Sequence, residues 1–256
     1  MLMSILVLLK TMYNIIRMRR GKGKGLPFYC FSPPVMLATF FIEIGFLLYV
    51  VIRYKMNPLS RLIALLLLLL ATFQLAEYNV CGGFGANAQT WSRIGFVAIT
   101  LLPPVGIHLI YTIAKRPWSN VTGAAYGMAA AWITIFTFGE KVFNDHVCAG
   151  NYVIFHIKPV LAGLYFFYYY LWLFLGAYLC FLFAKSMNKK NRESLILLAL
   201  GYGSLLIPTT TVNMFNKNFE GLPSIMCGFA IILAAIVTFG ILPRSGILKK
   251  TKKPKE

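Results

Sequence analysis

Acidic residues are the scarcest charged class in this chain of 256 residues, which has seven Asp and Glu against 25 Lys and Arg. Charged residues of both signs make up only 12%, while 59% are hydrophobic and the mean hydropathy is +0.71. A soluble globular protein carries about twice this share of charged residues, so the composition excludes a soluble domain. A net charge of +18 would suggest a nucleic-acid partner in a soluble protein, but in a membrane protein the excess belongs to the cytoplasmic loops. We therefore expect membrane lipids, and no nucleic acid, as partners.

The residues that most catalytic sites need are also few. Asp145 is the only aspartate, so no intramembrane aspartate pair can form, and no His–Glu cluster has metal-ligand spacing. Residues 222–243 contain no lysine, which excludes a retinal Schiff base in the last span. We expect neither an enzyme nor a site for a metal or cofactor.

The sequence consists largely of long apolar runs. Each of seven runs can cross about 30 Å of hydrocarbon at about 1.5 Å per residue. They cover residues 34–52, 62–80, 94–114, 119–139, 159–184, 194–213 and 222–243. The sequence thus predicts an all-α polytopic membrane protein, with a seven-helix bundle over 26–243 between a basic segment, 1–25, and a basic tail, 244–256. For residues 1–16 we expect an interfacial helix, with a misassigned start codon or an eighth span as alternatives.

The positive charges indicate the orientation. If the spans alternate, the side that holds the C-terminus carries fifteen Lys and Arg, including the five lysines of the tail. The other side carries nine, of which five lie in the N-terminal segment. The positive-inside rule then predicts a cell-membrane protein with its C-terminus in the cytoplasm and its N-terminus outside.

Glu43 is the most informative single residue, because it lies near the middle of the first span. An ionised carboxylate there costs roughly 3 kcal/mol or more. Other polar or aromatic side chains are expected at a similar depth in the outer half, namely Gln74, Glu77, Trp132, Tyr165, Tyr168, Thr210 and Asn213. Together they suggest a ligand pocket that opens outward. The alternative is interhelical hydrogen bonding, typically below about 2 kcal/mol per bond.

Two further pairs of residues suggest structural devices. Cys81 and Cys148 both fall in loops assigned to the outer side, so they are candidates for a disulfide, with two unpaired thiols as the alternative. Pro104 and Pro208 each remove a helix donor and should kink the third and sixth spans, which makes them candidate hinges.

A family likeness runs through most of 34–243. It rests on AEYN at 76–79, WSRIGF at 91–96, LLPP at 101–104, a long aromatic fifth span, and GYGSLLIP at 201–208. These motifs resemble the seven-transmembrane N-terminal sensor region of bacterial histidine kinases. The resemblance implies a membrane-embedded input module, whose kinase or cyclase output would follow the seventh helix. Here the chain ends in KKPKE instead, so we expect a separate kinase or response-regulator partner.

These observations lead to three functional hypotheses. The first is a membrane-embedded sensor or receptor-like module that binds a small or lipidic ligand in its extracellular half and signals through a separate partner. The second is a secondary transporter or ion-coupled carrier that uses Glu43, and the third is a structural membrane protein without a ligand. A GxxxG pattern at Gly123 and Gly127 allows close packing within the bundle or, alternatively, a homodimer.

Overall fold

The computed structural model describes residues 33–81, 87–140, 142–149, 152–215, 222–245 and 248. Apart from one two-stranded hairpin, the chain in these ranges is an all-α bundle, and seven of its helices are long and apolar enough to cross a membrane. The first six are α1 (Pro33–Arg53), α2 (Pro58–Val80), α3 (Ala88–Ile113), α4 (Asn120–Phe138), α5 (Pro159–Ala184) and α6 (Lys189–Phe215). The seventh, α7, is α-helical over Leu222–Ala235, π-helical over Ile236–Ile241 and again α-helical over Leu242–Ser245. The prediction of a seven-helix membrane protein is confirmed.

Three parts of the sequence prediction lie outside the described residues. These are the interfacial helix at 1–16, the whole basic segment 1–25, and the basic tail except for Arg244, Ser245 and Leu248. The boundary of the membrane domain at residue 26 also falls there.

Short polar side chains set the starts of four helices. Each accepts a hydrogen bond from a backbone N–H in the first turn, which otherwise has no partner inside the helix. The pairs are Asn57 with Ser60 at 2.8 Å, Asn87 with Gln89 at 2.9 Å, Ser119 with Thr122 at 3.3 Å and Asn188 with Asn191 at 3.0 Å.

Helices α2 and α3 form the centre of the bundle. In each of them 72% of the most apolar stretch is buried, against 22% in α1 and in α4. Helix α1 packs on α2 and α7, α4 packs on α3 and α5, and α6 packs between α5 and α7. The two peripheral helices α1 and α4 are therefore held by fewer neighbours than the central pair.

A β-hairpin joins α4 to α5 and is the feature that the sequence did not predict. Strands β1 (Phe143–Ala149) and β2 (Tyr152–Ile157) pair antiparallel, with Ala149 opposite Tyr152. Its buried Phe143 and Phe155 pack edge-on against Phe96 of α3, with ring centroids 5.0 and 5.2 Å apart. The hairpin therefore covers one end of the bundle, which we name the hairpin end (described residues 81, 87, 139–140, 142–149 and 152–158).

The opposite end carries most of the positive charge, and we name it the basic end (residues 53–61, 114–119, 185–193 and 244–245). Glu193 is the acidic residue described there. The described basic residues are Arg53, Lys55, Arg61, Lys115, Arg116, Lys185, Lys189, Lys190, Arg192 and Arg244. The alternating path of the seven helices thus gathers these charges at one surface, as the sequence predicted.

The hairpin end also holds a cystine. Cys81, which follows α2 directly, is disulfide-bonded. The backbone of Cys148 lies in β1 at the same end, but its side chain is outside the described residues. The Cys81–Cys148 pairing therefore stays a prediction, while Cys180 in α5 is a free, buried thiol.

Arg93 caps the C-terminal end of α4. Its guanidinium donates to the carbonyl oxygens of Phe136 at 3.2 Å, of Gly139 at 3.0 Å, and of Thr137. The last carbonyls of a helix have no partner within it and carry partial negative charge, so a cation there is favourable. This bond network ties the start of α3 to the end of α4.

Candidate functional site

Glu43 is fully buried inside the bundle, with 0% of its surface exposed. It belongs to the buried stripe of α1 together with Met36, Val50 and, just past the helix, Tyr54. Because α1 packs on α2 and α7, the carboxyl faces the junction of these three helices. Neither of its oxygens has a hydrogen-bond partner among the described residues. Most buried polar groups in proteins are hydrogen-bonded, so this exception calls for an explanation.

Two predicted residues of α2 lie on the same side of the bundle. Gln74 and Glu77 are buried, with 3% and 1% exposed, and their spacing of three places them on one helix face. Glu77 lies close enough to interact electrostatically with Glu43. In the described parts of α1, α2 and α7, cations occur only at the basic end, at Arg53, Arg61 and Arg244. Among the described residues of these three helices, the membrane-embedded part of the junction therefore holds two carboxyl groups and no basic side chain.

The three aromatic residues of the predicted pocket lie elsewhere, between α3, α4 and α5. Trp132 packs on Tyr165 and Tyr168 with ring centroids 5.3 and 6.3 Å apart. Tyr165 packs on Phe96 at 5.6 Å and on Phe136 at 5.0 Å. These rings, with the two hairpin phenylalanines, form a continuous aromatic core in which Tyr165 and Tyr168 are buried and Trp132 is partly buried.

The hydroxyl groups of the two tyrosines are used within this core. Tyr168 donates to the backbone carbonyl oxygen of Thr100 at 2.9 Å, and the Tyr165 hydroxyl lies 3.0 Å from Thr100 Oγ1. Thr100 Oγ1 itself donates to Phe96 O at 2.5 Å. Pro104, four residues further on, has no N–H to offer the Thr100 carbonyl. The Tyr168 hydroxyl thus replaces the donor that the proline removes, which is a structural role.

The predicted residues of α6 do not reach the junction either. Thr210 is exposed on the surface of the helix, and the side chain of Asn213 lies outside the described residues. The neighbouring Thr209 is buried, but its hydroxyl donates back to its own helix, to Leu205 O at 2.7 Å and Leu206 O at 3.2 Å. Threonines commonly bond the preceding turn in this way.

The predicted set is also spread over a range of depths. Glu43 lies ten residues from both ends of α1, which is about 15 Å. Glu77 lies three residues from the end of α2, which is about 5 Å. Glu43 is thus at mid-depth and Glu77 near the hairpin end, with Gln74 between them.

A cavity of about 30 Å³ lies between the helices, apart from both groups of predicted residues. Five helices line it, including Leu70 of α2, Gly106 of α3, Tyr169 of α5, Tyr202 of α6 and Leu233 of α7. This volume holds one or two water molecules. None of the predicted site residues lines it.

His108 lies nearer the basic end, in a cluster separate from the two groups of predicted site residues. Its Nδ1 lies 3.3 Å from the Tyr126 hydroxyl of α4, and its ring packs edge-on against Trp118 at 5.1 Å. Trp118 in turn stacks on Tyr126 with ring centroids 5.6 Å apart. The histidine therefore links α3 to α4.

The structure thus separates the predicted site into two parts. Glu43, Gln74 and Glu77 lie at the α1–α2–α7 junction, whereas Trp132, Tyr165 and Tyr168 form an aromatic core between α3, α4 and α5. Across the described residues, no group of three or more His, Cys, Asp and Glu side chains could hold a metal ion. In comparisons with known proteins, no family model and no curated protein matches this chain.

Proposed function

We propose that this chain is a sensor or receptor-like module of the cell membrane, which binds a small ligand at Glu43 and signals through a separate partner. The observation that carries the proposal is the buried carboxyl group whose two oxygens lack hydrogen-bond partners in the described part of the chain. An unsatisfied buried polar group costs about 1–3 kcal/mol, and an acidic side chain at the centre of a membrane helix costs about 3 kcal/mol. A ligand that donates hydrogen bonds or positive charge to Glu43 recovers this cost.

The packing of α1 offers a way for the ligand to reach the carboxyl. Helix α1 rests on α2 and α7, and only 22% of its most apolar stretch is buried. A small displacement of α1 exposes Glu43 without opening the α2–α3 centre. A ligand that binds the displaced arrangement more tightly shifts the bundle toward it by that difference in affinity.

The charge distribution supports the orientation of the proposed module. With the ten described cations of the basic end in the cytoplasm, the positive-inside rule is obeyed and the hairpin end faces outward. The predicted disulfide at Cys81 then lies on the oxidising side, where such bonds persist. The likeness to the sensor region of histidine kinases supports a kinase or response regulator as the partner at the basic end.

A secondary carrier is the second candidate, and the depth of Glu43 favours it. The carboxyl lies about 15 Å from both ends of α1, and carriers bind their substrates and coupling ions near the midplane. In this case Glu43 would bind the substrate or coupling ion from one side of the membrane and release it to the other side.

One pair of variants separates these candidates. Glu43→Gln removes the charge at the junction, while Glu193→Gln removes a half-exposed carboxylate at the basic end and serves as the matched control. The purified proteins are heated with a panel of small primary and quaternary amines and with matched carboxylic acids. We expect at least one amine, and no acid, to raise the melting temperature of the wild type and of Glu193→Gln but not of Glu43→Gln.

Flux in liposomes gives the second readout. Uptake of the stabilising amine, or of protons, that is lost in Glu43→Gln would establish a carrier and refute the sensor. If no amine stabilises the wild type and Glu43→Gln is as stable as Glu193→Gln, both proposals are wrong. The buried carboxyl would then belong to a structural membrane protein without a ligand.

A further inference from the structure

A groove of about 650 Å³ runs along the outside of the bundle between α6 and α7. Its walls are Leu197 of α6 and the apolar residues of α7 from Ile231 to Gly240. The π-helical segment Ile236–Ile241 forms its middle, and such segments are rare and frequently lie at functional sites. Gly240 contributes no side chain, and a Cβ there would lie 3.2 Å from Leu197 Cδ1. The glycine therefore lets α6 and α7 approach closely at Leu197, which borders the groove.

The groove ends at a single charged residue, Arg244, at the basic end. The Arg244 side chain is 40% exposed. Its Nε donates to Glu193 Oε2 at 3.4 Å, and its Nη1 donates to Gly240 O. A guanidinium has five N–H donors in a planar fork. These two bonds use one donor of Nε and one of Nη1. The second N–H of Nη1 and both N–H groups of Nη2 make no bond to another described residue, so three donors remain for an anion.

We propose that this groove binds an anionic phospholipid, with one acyl chain along α7 and the phosphate group at Arg244. The groove extends thirteen residues from Ile231 to Arg244, which is about 20 Å along a helix. This length matches one leaflet with its headgroup region, because a whole bilayer is about 40–45 Å thick when the headgroups are included. The occupant is thus a lipid of the leaflet at the basic end.

Charge complementarity selects an anionic headgroup over a zwitterionic one. The exposed side chains of Lys189, Lys190 and Arg192 occupy the first turn of α6, next to the residue that pairs with Arg244. Glu193 offsets one of these charges, and it competes with the phosphate for the guanidinium. Basic residues near a membrane surface favour anionic lipid, and Arg binds phosphate in a forked geometry.

Photo-crosslinking of the reconstituted protein tests this proposal. The probes are phosphatidylglycerol and phosphatidylcholine with the same diazirine-bearing acyl chain, and the crosslinked peptides are mapped by mass spectrometry. In the wild type we expect about fivefold more crosslinking of phosphatidylglycerol than of phosphatidylcholine to residues 228–245. Arg244→Gln should abolish this preference, Arg244→Lys should retain part of it, and Glu193→Gln should increase it.

Two further variants control for the position of the lipid. Ala235→Phe fills the apolar part of the groove, so it should lower crosslinking of both lipids at this segment. Arg61→Gln removes a cation of α2 at the same end of the bundle and should leave the preference unchanged. Circular dichroism and gel filtration establish whether each variant is folded. If Arg244→Gln does not fold, the preference for anionic lipid is tested by comparing Arg244→Lys with Glu193→Gln.

Three results would overturn the proposal. They are equal crosslinking of the two lipids to the wild-type groove, a preference that survives in Arg244→Gln, and a preference that Arg61→Gln reduces as much as Arg244→Gln does. The first result would mean that the groove does not select anionic lipid, and either of the other two would mean that anionic lipid collects at the basic end without a site at Arg244. None of these outcomes depends on the role of Glu43.

Discussion

The hydrogen bond from Tyr168 to the Thr100 carbonyl permits a sharp test of how α3 tolerates its prolines. Pro104 leaves that carbonyl without a donor inside the helix, and Tyr168 supplies one at 2.9 Å with only 1% of its own surface exposed. Tyr168→Phe keeps the ring and removes the donor. A lost bond between helices in a membrane costs about 0.6 kcal/mol and at most about 1.7, and an unsatisfied buried carbonyl costs about 1–3. We expect the free energy of unfolding to fall by about 1–2 kcal/mol.

The control for this prediction is a double-mutant cycle with Pro104→Ala. Alanine restores an N–H that bonds the Thr100 carbonyl within the helix, so Tyr168→Phe should then cost less than about 0.5 kcal/mol. Unfolding of the purified variants in mixed micelles, followed by circular dichroism, measures all four corners of the cycle. If the two substitutions are additive within about 0.3 kcal/mol, Tyr168 does not compensate for the proline and the reasoning is wrong.

Three further predictions concern other parts of the bundle. Gly106→Ala should destabilise the protein by about 2 kcal/mol, because the added Cβ would collide with the Tyr202 hydroxyl. Adding Tyr202→Phe to this variant should restore much of the lost stability. If thermal melts show that the double variant is no more stable than Gly106→Ala, the inferred contact is wrong. Lys115 has a positive φ of 51°, so Lys115→Gly should raise stability by up to about 1 kcal/mol, whereas a lower melting temperature would mean that the lysine side chain holds the turn. Peptide mapping under non-reducing conditions should find Cys81 joined to Cys148, and a bond to another cysteine would refute the predicted pairing.

The number and order of the helices could be predicted because each span is set by a long apolar run. The apolar runs begin four to six residues after the true starts of α2, α3 and α6, because the first turn of each helix is polar. Asn57, Asn87 and Asn188 mark these starts in the sequence as helix caps. Capping residues, read together with hydropathy, would have placed all three.

The hairpin was missed for a different reason. Residues 143–157 contain Asp145, two histidines and a Gly–Asn dipeptide, so the segment has too little apolar character to stand out beside the spans. The Gly150–Asn151 dipeptide between two runs of strand-forming residues is a known hairpin signal. The burial of Phe143 and Phe155 against Phe96 is a long-range contact, and local sequence does not specify its partner.

The predicted binding site shows where sequence reasoning ends. Depth along a helix follows from counting residues, so Glu43 and Tyr168 could be placed about 15 and 14 Å from the hairpin end of their helices. Which helices enclose a residue depends on packing between distant parts of the chain, and here Tyr168 faces Thr100 while Glu43 faces α2 and α7. The tyrosine hydroxyl meets a carbonyl that a proline has freed, so its polarity is fully used. The carboxyl meets no such partner among the described residues, and for that reason Glu43, and not the aromatic cluster, carries the functional proposal.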